Sequence, residues 1–546
     1  MDAAALAREL ELHPVVAAVL IARGFTDPDN ARRFLNPSLE DLQSPFAFSQ
    51  MRQLVDRVRS AARKKEKILV YGDYDVDGVT ASAILAPALE RLGADVRVHL
   101  PHRLKEGYGL NTEVLKRYLA EGITLVITVD NGITSLDAVR FLKDSGVDAI
   151  LIDHHLPKGE MPPAFAIISA AVERGADPNL AACGLAFKAA WALLGNFESV
   201  REYLDLVTVG TIADLAPVDG ENRTLLKYGM PELAKTRRVG LKALMQAARI
   251  HPSYVSYRDI AFGLGPRINA SGRMGSPETA YNLLTTSDPA KAREWAEFLE
   301  NENAQRQKVE AEAYEEAAKI VEREGWQLKH RVLVVDSPGW HEGVLGIVAS
   351  RLVDRFRVPA IVIASKVGAA KGSGRSVPGV AIFERLAACS ELLESFGGHA
   401  QACGLTITTE NISMLRERLN ISAAKAPADT ALRAVDGEIA LKELTVSFLR
   451  DLERLAPFGP GNEKPLFLSR GVKLKTAPKK RGRDTLQCWV TDAETASVTC
   501  EGVAFRSYER WRNAPVLKAM DVVHQPVLKH LNGIEFIQLE IEDWRS

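Results

Sequence analysis

Thiol chemistry is the first thing this sequence is short of. Its 546 residues include five cysteines, Cys183, Cys389, Cys403, Cys488 and Cys500, an odd number with no C-x-x-C spacing, which excludes a disulfide framework and a structural zinc site. They read as small buried hydrophobes. Long apolar runs are missing too. The longest, Val15 to Ala22, falls far short of the ~20 residues that cross a bilayer, so no membrane span is expected. The amino terminus, with Arg8, Glu9 and Glu11 close behind Met1, lacks the basic head and apolar middle of a secretory signal, and a cytoplasmic protein is expected. Neither sign of charge dominates. Sixty-nine Lys and Arg against 70 Asp and Glu leave a formal charge of −1, so a polyanion partner would need a local positive groove. No repeat or low-complexity tract breaks an ordinary globular composition, 46% hydrophobic and 25% charged, and the length allows roughly three or four domains.

What is present is an alternation of strand-like and helix-length segments. Ile68 to Tyr71, Val96 to Leu100, Thr124 to Val129 and Ala149 to Ile152 are short apolar or β-branched runs, each separated by enough chain for a helical crossover, which predicts a parallel sheet covered by helices. The strand signal fades from about 230. Asp288-Pro289 reads as an N-cap with proline at the first helical position and Gly325 as the stop of a long charged connector helix. A second, smaller α/β lobe begins at Val332 to Val335, and short runs such as Cys488 to Val490 and Phe536 to Leu539 suit a C-terminal β-barrel of the OB-fold type. The expected segments are a helical leader (1–50), a catalytic α/β domain (51–230), a helical connector (231–328), the smaller α/β domain (329–425) and a nucleic-acid-binding barrel (426–546).

The sharpest local feature is Tyr71-Gly72-Asp73-Tyr74-Asp75-Val76-Asp77-Gly78. Three carboxylates within five residues repel one another unless cations or solvent neutralise them. An EF-hand loop also begins D-x-D-x-D-G, but here the twelfth position is Ile84 and a strand precedes Asp73, so calcium-loop geometry is excluded. Two further predicted strands end in Asp130-Asn131-Gly132 and Asp153-His154-His155. Ligands collect at the carboxyl ends of parallel strands, so these residues are expected around one crevice, joined by Asp214 after an apolar helical run. Oxygen ligands with one or two imidazoles and no thiolate suit two Mn²⁺ or Mg²⁺ ions, and such a pair supports phosphoester or phosphoanhydride hydrolysis.

At these residues the chain resembles the DHH phosphoesterase superfamily, named for the triplet found here as Asp153-His154-His155. It is similar, motif for motif, to that superfamily's RecJ family of single-strand-specific 5′→3′ DNA exonucleases. Gly265 to Met274, Gly339 to Arg351, Lys371 to Ser376, Gly397-Gly398-His399 and Pro457 to Asn462 extend the resemblance over nearly the whole chain. It implies DHH, DHHA1 and OB-fold domains, with Asp75, Asp77, Asp130, His154 and Asp214 holding two ions and Asp130 as the bridge. Asp73 and Asp153 would support that shell, and His155 would stabilise charge on the scissile phosphate. Arg103, Arg273, Ser373 and Arg375 would take a terminal 5′-phosphate, with His341 and His399 near the substrate, while Tyr108 between two glycines suits stacking on a base and packing as an aromatic equally. A basic hairpin with Lys473, Lys475, Lys479, Lys480, Arg481 and Arg483 would track a phosphate backbone. Gly374, where relatives often carry alanine, and Cys403, in a stretch that is usually Ala-Ala-Gly, depart from the pattern. The implied function is release of 5′-mononucleotides from single-stranded DNA in recombinational repair, by a monomer cooperating with single-stranded-DNA-binding protein and a RecQ-like helicase. A DHH phosphodiesterase for short oligonucleotides or small nucleotides, and a catalytically silent scaffold of the same fold, are the alternatives.

Overall fold

A computed structural model describes residues 2–103, 105–366, 368–421, 434–482, 484–492, 498–505, 507–512, 514, 516, 518–531 and 534–545. The chain forms two compact units, one of residues 45–214 and 232–431, the other of residues 1–44, 215–231 and 432–546.

The first unit contains both α/β lobes. Strands β1 (Lys67–Tyr71), β2 (Asp95–His99), β3 (Ile123–Val129), β4 (Asp148–Ile152) and β5 (Ala166–Ile168) form a sheet in the order β2-β1-β3-β4-β5, all neighbours parallel. The runs predicted as strands are strands. Leu69, Val70, Ile127, Ile150 and Leu151 are wholly buried, as expected for strands covered on both faces by the crossover helices. The chain leaves β1 for β2 on one side and returns to place β3 on the other, so the topological switch lies between β1 and β3. There the crossover helices diverge and leave a crevice at the carboxyl ends of the strands. Both strands end in carboxylates: β1 runs into Asp73, β3 into Asp130.

The helix Pro289–Arg323 starts where predicted, with Asp288 capping its first turn by accepting the Ala290 N–H at 2.8 Å, and Gly325 sits beyond its end at φ 64°. Its later turns pack Ala313, Ala317 and Val321 against Leu333 and Val335 of the smaller lobe. That lobe is a mixed sheet of β6 (Leu333–Ser337), β7 (Ala360–Ala364), β8 (Ala369–Arg375), β9 (Leu393–His399) and β10 (Ala402–Thr408) in the order β6-β7-β8-β10-β9.

The second unit is built on β11 (Gly437–Glu438), β12 (Phe467–Leu474), β13 (Lys479–Arg481), β14 (Thr485–Asp492), β15 (Thr499–Ala504), β16 (Ala519–Leu531) and β17 (Ile534–Arg545). The strands β12-β16-β17-β15-β14 follow one another in the sheet, and β12 also pairs with β14, which closes a five-stranded barrel and removes its open edges. The amino-terminal helices are not a free-standing leader. Leu6, Val16, Leu20 and Leu35 share one apolar core with Phe448, Phe467 and Leu539. Arg223, 2% exposed, fastens the same unit by donating to the carbonyls of Phe34 (2.8 Å), Leu455 (2.9 Å) and Ala456 (3.1 Å). All five cysteines are buried free thiols.

Candidate metal centre and phosphate pocket

The acidic turn after β1 has its shape because each carboxylate is given a different partner. Asp75 caps the helix Val76–Arg91, accepting from the backbone N–H groups of Asp77 (3.0 Å) and Gly78 (3.2 Å). Asp77 points away from its own helix and accepts from Ala182 N–H (2.7 Å) and Cys183 N–H (2.8 Å), the first turn of the helix Ala182–Leu194. A helix amino terminus is a favourable seat for a carboxylate because its N–H groups and dipole face the charge. Gly78 lets the turn close: a Cβ there would lie 2.5 Å from the backbone nitrogen of Asp73.

Asp130 follows β3 in the left-handed region, at φ 65°, where aspartate is among the few tolerated non-glycine residues. His154 Nε2 lies 3.2 Å from Asp130 Oδ1, 3.9 Å from Asp77 Oδ2 and 4.0 Å from Asp214 Oδ2. The donor atoms form three groups whose members lie within 4.8 Å of one another: Asp73, Asp75 and Asp130; Asp77, His154 and Asp214; and Asp130, His154 and His155. Asp130 and His154 each belong to two of them. The five residues expected as ligands are therefore gathered, with Asp130 shared as a bridge requires. Asp73 joins the carboxylates directly, while Asp153 does something else. It is fully buried, accepts from Ile133 N–H (2.9 Å) and contacts His155 Nδ1 at 2.8 Å, so it orients His155 and not His154.

Electrostatics shows that this chain alone does not balance the cluster. Burial first, then repulsion from Asp75, holds the Asp73 carboxyl well above its ordinary range. Burial, Asp75 and Asp77 do the same to Asp130, and burial with Asp77 and Asp75 pushes Asp214 up to about 9. Among the described residues Asp73 Oδ1 and Asp130 Oδ1 are buried with no hydrogen-bond partner, though His154 Nε2 lies 3.2 Å from the latter. Buried acceptors aimed together without donors are costly in a folded chain and suit hard divalent cations. Cys183 belongs to none of the three donor groups, and burial, then Asp77, holds its thiol pKa well above the ordinary value. At His155, burial works against the imidazolium, but the Asp153 hydrogen bond and charge outweigh it and raise its pKa.

Beside the carboxylates stand arginines. The Arg103 guanidinium lies 5.1 Å from the Tyr74 ring centroid. Arg273, in the helix Gly265–Met274, donates to the Gly343 carbonyl (3.1 Å), and burial with the charges of Arg103 and Arg306 lowers it to about 10. Arg375 at the end of β8 is lowered by burial and by Arg103, and its Nη1 lies 3.2 Å from Ser373 Oγ. Burial, with Arg103 adding to it, lowers both Arg273 and Arg375, so the three guanidiniums form a cationic group beside Asp73 and Asp75. His341 adjoins this group through Gly343, whose N–H it accepts at 3.1 Å. His399 is exposed on β9, and no contact joins it to the cluster among the described residues.

Tyr108 is not an unengaged stacking platform. Its hydroxyl lies 3.2 Å from His155 Nδ1 and 3.4 Å from the Asp130 carbonyl oxygen. Lys479, Lys480 and Arg481 form the exposed strand β13 of the other unit, paired with β14; Arg483 lies outside the described residues. Sequence reasoning missed Asn269, which accepts the Val76 N–H at 3.2 Å, and Asn131, whose amide donates to the carbonyls of Tyr71 (3.3 Å) and Val129 (3.0 Å) and ties the ends of β1 and β3 together. The Asp130-Asn131-Gly132 triplet carried a signal for Asn131; for Asn269, nearly two hundred residues from its partner, only the family motif did.

The two departures from the family pattern prove to be one. Gly374 and Cys403 are cross-strand partners in β8 and β10, and a Cβ on residue 374 would lie 2.5 Å from the Cys403 sulfur. Volume removed on one strand is restored on the other. Gly374→Ala is therefore expected to cost about 1–2 kcal/mol by overpacking, and Gly374→Ala with Cys403→Ala to recover most of it. Thermal melts of the two single variants and the double variant close the cycle, and additive losses would contradict it.

Comparison with known proteins agrees with this geometry. The family described as "DHH family, N-terminal domain" matches residues 67–211, "DHHA1 domain" matches 329–424 and "RecJ OB domain" matches 435–543. A single-stranded-DNA-specific exonuclease RecJ of Bacillus subtilis is 36% identical over 98% of this chain and 69% of its own length. The crystal structure of RecJ from Thermus thermophilus in complex with Mn²⁺ has a TM-score of 0.85 at 30% identity, covering 100% of this chain and 78% of that one. Its complex with Mg²⁺ gives 0.78 at 27% identity, covering 100% and 76%. With three domain matches in order and more than a third of its residues identical across two thirds of a curated relative, the chain belongs to the RecJ family.

Proposed function

We infer that this chain is a metal-dependent exonuclease that degrades single-stranded DNA from its 5′ end to mononucleotides. The observation that carries the reading is a cluster of buried carboxylate and imidazole donors with a group of guanidiniums beside it in one unit. Asp75, Asp77, Asp130, His154 and Asp214, with Asp73 beside them, would hold two divalent cations, Mn²⁺ or Mg²⁺. When bound, these supply an activated water nucleophile and neutralise charge on the phosphoryl group. The chain's own residues do the rest. His155, kept protonated more readily by Asp153, donates toward the phosphoryl oxygen on which charge develops. Arg103, Arg273, Arg375 and the Ser373 hydroxyl take the terminal 5′-phosphate through charge-assisted hydrogen bonds, fixing which end enters. Lys479, Lys480 and Arg481 on the barrel attract the trailing phosphate backbone without reading its sequence. The proposed domain roles are residues 51–214 for catalysis, 232–328 as connector, 329–425 completing the phosphate site and 432–546 holding the strand, with 215–231, expected in the catalytic domain, belonging to the barrel unit. Cytoplasmic DNA repair alongside a single-stranded-DNA-binding protein and a RecQ-like helicase is the expected setting.

The test compares single strands labelled at either end, in Mn²⁺, Mg²⁺ or chelator, with and without duplex competitor. Early release of the 5′ label as mononucleotide, with metal only and indifferent to duplex, is the expected result. Early release of the 3′ label would refute the direction, and faster turnover of a dinucleotide than of a long strand would favour a small-nucleotide phosphodiesterase.

A further inference from the structure

The mechanism leaves a buried polar group unused. His99, the last residue of β2 and 8% exposed, stands in register beside Tyr71 of β1 with the two rings 4.8 Å apart. Its Nδ1 lies 3.3 Å from the Tyr118 hydroxyl and its Nε2 2.8 Å from the Glu106 carboxylate. A Tyr118 hydroxyl that donates to Nδ1 would place the ring proton on Nε2, facing Glu106, so the two contacts are compatible with one tautomer. Glu106 lies between two residues of the proposed site. Arg103 precedes it, and Tyr108 follows within a Gly107-Tyr108-Gly109 turn whose glycines adopt φ 81° and 86°. Tyr108 reaches His155 and the Asp130 carbonyl. Arg103 is the cation that depresses both Arg273 and Arg375.

We propose that His99 and Glu106 are positioning residues: their contact holds the segment bearing Arg103 and Tyr108 against the metal cluster and thereby sets the preference for a 5′-phosphorylated over a 5′-hydroxyl strand. This rests on the reading of Arg103 as a 5′-phosphate ligand. The argument is geometric. The sheet fixes His99, the helix Thr112–Ala120 fixes Tyr118, and Glu106 transmits that rigidity to a turn whose two glycines would otherwise let it swing. Glycines at positive φ have no side chains to hold them, so an anchor must come from a neighbour. A charge-assisted contact in a poorly hydrated place is a strong one. Misplacing a binding group by about an ångström can cost up to about a hundredfold in rate.

The experiment measures kcat and KM on one single strand carrying either a 5′-phosphate or a 5′-hydroxyl, in saturating Mn²⁺, for the full chain and three variants. Glu106→Ala and His99→Phe each remove the tie, the second keeping an aromatic ring between Tyr71 and Tyr118 so that folding is preserved. Both are expected to lower the phosphate-to-hydroxyl ratio of kcat/KM by about tenfold or more, mainly through KM on the phosphorylated strand. Glu106→Gln keeps an acceptor for Nε2 and is expected to stay within about threefold, since a neutral hydrogen bond retains much of the contact. Equal losses on both strands, leaving the ratio unchanged, would mean that the pair merely supports the fold and would overturn the proposal. A ratio lost as fully in Glu106→Gln as in Glu106→Ala would overturn the acceptor role. If the wild-type protein itself showed no preference, the phosphate-ligand reading beneath would fall, a different result from a variant losing a preference that exists.

Discussion

Asp130→Asn is expected to reduce metal-dependent nuclease turnover by about a thousandfold or more, while leaving the chain in chelator at least as stable as the wild type. The two halves follow from one arrangement. Asp130 is shared by two of the three donor groups, so losing its charge weakens both places where a cation would sit. Without cations the same carboxylate is a burden, buried among Asp75, Asp77, Asp73 and Asp214 with one oxygen unpartnered. Asparagine keeps the shape and tolerates the left-handed backbone of this position, φ 65°, which alanine does not do as well. Thermal melts with and without Mn²⁺ read the second half: ligand binding raises the midpoint of the wild type through mass action, and that shift should largely vanish in the variant. Activity within tenfold of wild type would refute the bridge, and a large loss of stability in chelator would show that Asp130 is a structural residue instead.

Arg273→Gln is expected to lower kcat/KM on 5′-phosphorylated single strands by about 30- to 100-fold, the worth of one or two charge-assisted hydrogen bonds, with a smaller effect on 5′-hydroxyl strands. Arg273→Lys should not rescue it, because an ammonium cannot reproduce the planar fork that engages two phosphate oxygens at once. Stability should change little. The guanidinium donates to the Gly343 carbonyl and is opposed by burial, then by Arg103 and Arg306. Steady-state kinetics on the two strands and a melting curve decide the matter. Equal losses on both substrates would remove Arg273 from the terminal-phosphate pocket.

Much of this site was legible in one dimension. An acidic turn directly after a strand, and two more strands ending in aspartate, must converge if the sheet is parallel, because parallel strands put their carboxyl ends on one edge. Other features had no local signature. Asp77 is seated by Ala182 and Cys183 N–H groups, which belong to an apolar helix, and backbone donors leave no trace in residue type. Asp153 is expected to support the ligand shell, and only the folded structure turns it to His155. Tyr108 is an aromatic between two glycines, equally suited to a base or to a neighbour until its hydroxyl is found beside His155. The segment read as a separate helical leader lies in the barrel's own core, since apolar helix faces record that they must be covered but not by what.

The sequence by itself therefore determined the element types, the parallel sheet and the chemistry of the ligands, because strand patterning, helix caps and carboxylate spacing are local properties of the chain. Tertiary structure alone decided which histidine is held by Asp153, that Cys403 packs over Gly374 and which core receives the first helices. Those are contacts between residues far apart in the chain, selected by packing and by charge balance in a dry interior, and no single segment carries them.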